Sequence, residues 1–391
     1  MMAQAIITRK GGGSGSGEAT ITFNNVSQGG TMDSNHTTAA NLSQGRSSLA
    51  ATSVGDYALF SGGYGSSPSN RLSTVDAYDT SLTRTTPTAL SLGMYDLTAT
   101  SIGNYALFGG GEDGGYRTTV DAYNTTLART TPTNLSQAMM TPAATSVGNY
   151  ALFGWGNNSY AVVNAYDTSL TRTTPTALSL GRAYLAATSI GDYALFGGGL
   201  ASSSNISAVV DAYNTSLTRS TPTALSQGRY NLAATSIGDY ALFGGGQNNS
   251  AVVDAYNASL TRSTPTALSQ GRDGLAATSV RNHALFGGGA TVYNVVDAYD
   301  TSLTRSTPTA LSQGRYNLAA TSIGDYALFG GGYSAFALVD AYYYTIKLSV
   351  FPGTKYKLNS MDSEVTSNSF QELIVNPPIN GYIKIQNAEL N

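Results

Sequence analysis

The stretch A-A-T-S-I-G-D-Y-A-L-F-G-G-G recurs seven times along this chain with small changes, its Ala-Thr-Ser core starting at Ala51, Ala99, Ala144, Ala187, Ala234, Ala277 and Ala320. Successive copies stand 48, 45, 43, 47, 43 and 43 residues apart. A repeat of this length is one supersecondary unit that cannot bury its own apolar face and must stack on its neighbours. The repeat therefore decides the architecture, and the differences between copies carry the information about function.

One copy, Leu232 to Arg272, shows the unit. L-A-A-T-S-I at 232–237 and D-Y-A-L-F-G-G-G at 239–246 read as two strands joined at Gly238-Asp239, where Gly in the first central position fits a type II′ hairpin. A variable loop, 247–250, leads to a third strand, A-V-V-D-A-Y at 251–256. The segment R-S-T-P-T-A-L at 262–268 reads as the fourth strand, and Pro265 makes it the outer one, because Pro is tolerated at a sheet edge and not in its middle. Seven such four-stranded units predict an all-β fold, a seven-bladed β-propeller. The last copy lacks its fourth segment, and H-T-T-A-A-N-L-S-Q-G-R at 36–46 supplies it, so an N-terminal strand is expected to close the ring and remove the open edge. The expected organisation is an N-terminal Gly-rich linker or attachment segment at 1–31, the propeller at 32–344 and a small β-rich C-terminal extension at 345–391. The extension reads equally as a cap on the propeller or as an attachment module.

The order G-G-G, variable loop, V-D-A-Y, L-S-Q-G-R and A-A-T-S-I-G-D-Y-A-L-F resembles a kelch repeat over roughly residues 36–344. Kelch repeats carry a Trp after the third strand, where this chain has Leu82, Leu127, Leu170, Leu217, Leu260 and Leu303. The resemblance implies the propeller fold and leaves function open, since propellers host many activities.

All length variation falls in one loop. Between the last Gly of the glycine run and the acidic position of V-D-A-Y, or Asn164 in its place, the copies hold 12, 9, 7, 11, 7, 7 and 7 residues. A second variable site follows the S-x-G-R motif, as Ser47-Ser48, Tyr95-Asp96, Ala183-Tyr184, Tyr230-Asn231, Asp273-Gly274 and Tyr316-Asn317. Up-and-down strand order puts both sites on one face of the disc and the two constant turns on the other. Insertions on one face of a repeat array mark a binding face, although longer loops also drift where tight turns do not. The candidate ligand contacts on that face are Tyr64, Arg71, Tyr95, Tyr116, Arg117, Trp155, Tyr160, Tyr184, Tyr230, Asn248, Asn249, Tyr293, Tyr316 and Tyr333. Tyr and Trp offer stiff amphipathic area and Asn adaptable hydrogen bonds, a palette that suits proteins and glycans alike. The recurrent Arg46, Arg182, Arg229, Arg272 and Arg315 read as packing between blades rather than ligand contact. The V-D-A-Y aspartates and the L-T-R or L-A-R arginines read as scaffold.

Composition narrows the function classes. Charged residues are 11% and the net charge is -3, with no basic stripe for nucleic acid. There is no Cys, hence no thiolate chemistry. No apolar stretch is long enough to span a bilayer, and the N-terminus lacks a secretory h-region. The expected location is therefore a cytoplasm, or a virion or the cell exterior after non-classical release. The two histidines, His36 and His283, stand where other copies have Arg and Tyr, and neither has a partner at metal spacing. No cofactor or metal is expected, no catalytic constellation stands out, and the chain reads as a non-enzyme. The leading expectation is a non-catalytic binding module for a cell-surface glycan or protein, loosely resembling phage or prophage tail receptor-binding proteins attached to a particle through the termini. The alternatives are a kelch-type protein-interaction scaffold and a polysaccharide-active enzyme, the last using carboxylates such as Asp96, Glu112, Asp113 or Asp273.

Overall fold

The computed structural model describes residues 35–343 except 67–69, 140, 158–159, 203–204, 291 and 334–335, and beyond that range only a set of strands. The run G-G-G-S-G-S-G lies outside the described residues. The chain divides into two compact units, His36–Tyr342 and a unit formed by Met1–Asn35 with Tyr343–Asn391.

The larger unit is a seven-bladed propeller of four-stranded antiparallel sheets. Blade 5 has strands Ala233–Ile237, Tyr240–Gly244, Val253–Asn257 and Arg262–Ser263, paired in that order. The first strands touch in sequence around a closed ring, from Ala50–Val54 through Thr98–Ile102, Ala143–Val147, Ala186–Ile190, Ala233–Ile237 and Ala276–Val280 to Ala319–Ile323, which returns to Ala50–Val54. Small Ala, Thr and Ser suit these innermost strands, where blades converge and space is short. The second strands, Tyr-Ala-Leu-Phe in type, are covered on both faces by neighbouring blades, and Leu242 and Phe243 are fully buried. Phe286 packs against Gly244 of the preceding blade so closely that a Cβ there would lie 2.7 Å from its ring. Each third-strand Tyr is buried and crosses to the preceding linker, as Tyr256 Oη donating to Thr223 O at 2.8 Å does, while its ring meets Phe243 edge-on at 6.0 Å.

The elements differ from the sequence expectation at their ends. The fourth strand is only two residues long in every blade that supplies its own, because Pro265 and its equivalents cannot donate to the ladder. The second strand stops at Gly244, since Gly245 and Gly246 take φ of 74° and 124° and turn the chain away. Gly238 has φ of 50°, as the first position of a type II′ turn requires.

Closure follows the expected route. His36–Thr38 pairs antiparallel with Val339–Tyr343 and becomes the outer strand of blade 7. His36 lies opposite Tyr342 and its Nε2 is 2.7 Å from Asp340, the place an Arg holds in the other blades.

In the second unit, Glu18–Thr22 pairs with both Ile6–Arg9 and Ile383–Gln386, and Lys355–Lys357 joins the far side of Ile383–Gln386. Strands that precede and follow the propeller in sequence thus share one sheet. Ile346–Val350 pairs separately with Gln371–Val375. Among the described residues no helix is long and apolar enough to cross a membrane.

Candidate functional site

The residue two positions after the inner Arg, or after Met94 and Met139 in its place, has the same unusual backbone in every blade. Ser48, Asp96, Thr141, Tyr184, Asn231 and Asn317 have φ between 48° and 55°, and Gly274 has 61°. This left-handed region is uncommon for residues with a side chain and costs roughly 1–2 kcal/mol each. The surroundings that impose it are visible. The amides of six of the seven donate to the carbonyl of the residue before them around the axis: Ser48 to Asn317, Asp96 to Ser48, Thr141 to Asp96, Asn231 to Tyr184, Gly274 to Asn231 and Asn317 to Gly274, at 2.8–3.1 Å. A backbone belt therefore links neighbouring blades at the end of the axis where the variable loops emerge.

This belt is the rim of a cavity of 270 Å³. The next residue in each copy, Leu49, Leu97, Pro142, Leu185, Leu232, Leu275 and Leu318, forms a second ring one step nearer the inner strands. Hydroxyl, amide and carboxylate residues and a ring of apolar residues thus line the same cavity.

The loops around the cavity are unequal. Blades 1, 2 and 4 carry the longer connections, and in the last of these Leu200–Ser202 pairs with Asn205–Ile206. Blade 3 instead extends its hairpin, with Tyr150–Asn157 paired along its length to Tyr160–Asp167. Blades 1, 2 and 4 therefore carry extra chain, while blade 3 and blades 5 to 7 hold the same seven residues there.

The structure gathers several of the sequence candidates into this region. Tyr64, which forms a backbone bridge with Arg71, meets Tyr95 edge-on at 5.3 Å. Tyr95 bridges Glu112, which bridges Tyr116. Tyr184 and Tyr230 lie 6.1 Å apart, and Tyr316 stacks on Tyr333 at 4.8 Å. Tyr116 is 48% and Tyr333 51% exposed. Arg117 pairs with Asp113 in its own loop. Asn248, Asn249 and Tyr293 sit on the short loops of blades 5 and 6, the two asparagines exposed and in left-handed backbone.

Trp155 requires a correction. It is 3% exposed and packs with Met139, Phe153 and Tyr166 in the core between blades. It replaces a glycine of the run, so the chain does not turn away but continues as strand and carries the indole inward. Tyr160, 42% exposed, covers it with ring centroids 5.5 Å apart. Ser48, Thr141, Asn231 and Asn317 also line the cavity and were not among the expected contacts. Their signal was a position that varies in type just before an invariant-looking Leu or Pro.

Burial pushes the Asp96 carboxyl above its usual range, the Ser48 hydrogen bond opposes this, and the Glu112 charge adds to it. Tyr95 is pushed up to about 12 by burial, then by its hydrogen bond to Glu112 and that residue's charge. Tyr184 is raised by burial first and then by the Asp96 charge.

The repeated charges form a separate, closed system. Asp254, fully buried, receives Arg229 on Oδ2 at 2.5 Å and Arg262 on Oδ1 at 2.8 Å, with the Ser226 amide at 3.0 Å. The same Arg–Asp–Arg arrangement recurs at Asp76, Asp211 and Asp297. The inner arginines are at most 1% exposed, so they hold linker to blade and are shut off from ligand. Among the described residues no group of His, Asp and Glu could hold a metal ion.

No protein-family model and no curated protein matches this chain. Among solved structures, the propeller is similar to a streptogramin B lyase, at TM-score 0.58 and 13% identity over 80% of this chain and 99% of that one. It is also similar to the protein YjhT, at TM-score 0.50 and 12% identity over 84% of this chain and 99% of that one. Identities this low show the fold alone and carry neither the kelch family nor a tail protein. They do correct one expectation: the streptogramin B lyase is an enzyme on this fold, so the reading of this chain as a non-enzyme on motif grounds is withdrawn.

Proposed function

We propose that this chain binds a cell-surface glycan at its variable face, seating one sugar in the axial cavity with neighbouring units on the tyrosines of blades 1 to 5. The observation that supports this reading most is the left-handed belt lining one axial cavity together with a ring of apolar residues. Backbone strain of this kind persists only where the surroundings enforce it, so the belt residues are held in place before any ligand arrives. Hydroxyl, amide and carboxylate groups beside apolar residues match a sugar, whose hydroxyls need partners and whose C–H face does not. A volume of 270 Å³ is close to the low end of ligand pockets, ~300 Å³, and suits a single ring. None of the lining residues is Lys or Arg, so an anionic group would meet no cation there. Attachment to a particle has no support in the comparisons and forms no part of this reading.

The test is retention of the full chain on a glycan array. A subset of glycans is expected to retain it, with retention lost in Tyr184→Asn at unchanged thermal stability. Asn already fills the equivalent positions 231 and 317, so the variant keeps the belt. A single protein partner from a pulldown, insensitive to competing glycans, together with an empty array, would overturn the reading in favour of a protein-interaction scaffold.

A further inference from the structure

We propose that the axial cavity selects a sugar bearing a free amine, with the ammonium held by Asp96; this rests on the glycan reading above. Among the seven belt positions, Asp96 is the one ionisable carboxyl, the others being Ser48, Thr141, Tyr184, Asn231, Gly274 and Asn317. Its situation differs from that of the aspartates built into the blades. Asp76, Asp121, Asp211, Asp254, Asp297 and Asp340 each have an Arg within 2.5–3.0 Å. Asp96 has no ion pair among the described residues, and the charges it feels are negative, from Glu112. Of the arginines on the neighbouring loops, Arg117 is held by Asp113, and the Arg71 guanidinium lies against Gly114.

A carboxylate half-withdrawn from water and left without a cation is held in an unfavourable state that a ligand cation would relieve. Burial raises the Asp96 pKa, which is the sign of that unfavourable state. Tyr184 lines the same cavity as Asp96 and its ring lies 6.1 Å from that of Tyr230, so a cation bound at the carboxylate has aromatic groups in the same cavity mouth. An ammonium on a sugar ring satisfies the carboxylate, the tyrosines and the hydroxyl and amide groups of the belt together. An N-acetylated sugar satisfies only the last of these.

The experiment is calorimetric titration of the full chain with a glucosamine tetramer and with its fully N-acetylated counterpart, at about pH 6, where such an amine is protonated. The free-amine tetramer is expected to bind at least about tenfold more tightly, the scale of one charge-assisted hydrogen bond. In Asp96→Asn that preference for the free-amine tetramer over its N-acetylated counterpart is expected to vanish. Asn is well suited to a φ of 54°, so the variant keeps the fold, and its melting temperature verifies this. Equal affinities in the wild type, a preference that survives Asp96→Asn, or a lysine-bearing peptide bound as tightly as the amine tetramer would overturn the assignment. If neither tetramer binds, the assignment falls, and the array separately decides the glycan reading.

Discussion

His283 is the residue where one departure from the repeat has the clearest energetic consequence. Six copies place Tyr at the start of the second strand, and this copy places a histidine that is 9% exposed. Burial lowers its pKa from 6.5 to about 4, with the Asp300 charge opposing. The unfolded chain therefore binds more protons than the native one between about pH 4 and 6.5, so this residue's contribution is complete above 6.5 and lost as pH falls toward 4. The shift corresponds to about 3 kcal/mol. Urea denaturation of wild type and His283→Tyr at pH values across that window is expected to show a steeper acid loss in the wild type. Identical slopes would show that the imidazole is not held neutral. The substitution itself was legible in the sequence as structural. Trp155 was not, because its meaning depends on a backbone change: losing one left-handed glycine keeps the hairpin extended and turns an apparent surface aromatic into core.

Blade 3 shows how substitutions act together at the scale of an element. Met139 stands where an inner Arg is expected, Asn164 stands for Asp, and Trp155 packs against Met139. Where the buried cation is missing, its carboxylate is neutralised too. Blade 2 finds another solution. Met94 replaces the Arg, Asp121 remains, and Ser91 Oγ donates to it at 2.9 Å beside Arg129 at 3.0 Å. These two blades predict how a regular one responds. Asp297→Asn leaves Arg272 fully buried without a carboxylate and is expected to cost about 3–5 kcal/mol. Arg272→Met is expected to cost less, about 1–3 kcal/mol, because Asp297 keeps Arg305 at 2.8 Å and Ser269 is placed as Ser91 is. The double variant, which copies blade 3, should recover much of the Asp297→Asn loss in equilibrium unfolding. Additive losses would contradict the account of the lock. Both charge series of the hairpin are legible in the sequence as scaffold, but the pairing of the inner arginines with the aspartates is not, because it joins a linker to the strand of the blade that follows it.

At the scale of the molecule, the repeat period, the strand order and the closing strand were readable because each follows from patterning and turn chemistry repeated in every copy. The return of His36–Thr38 to the last blade closes the ring without a covalent link. The face that varies was readable as well, since strand order alone assigns the loops. What the linear sequence hid was the axis. Seven residues about one repeat apart meet only when the blades close, and their shared left-handed backbone leaves no mark in residue type, with Ser, Asp, Thr, Tyr, Asn and Gly all present. The acidic groups Asp96, Glu112 and Asp113 gather on blade 2, so a symmetric scaffold presents an uneven mouth. The most direct measurement is a crystal structure of the full chain with the tightest glycan from the array. The account predicts a sugar ring on the axis, within hydrogen-bond reach of Asp96, Asn231 and Asn317 and against Tyr184. A ligand seated on the face of the constant turns, or on the outer strands, would contradict it.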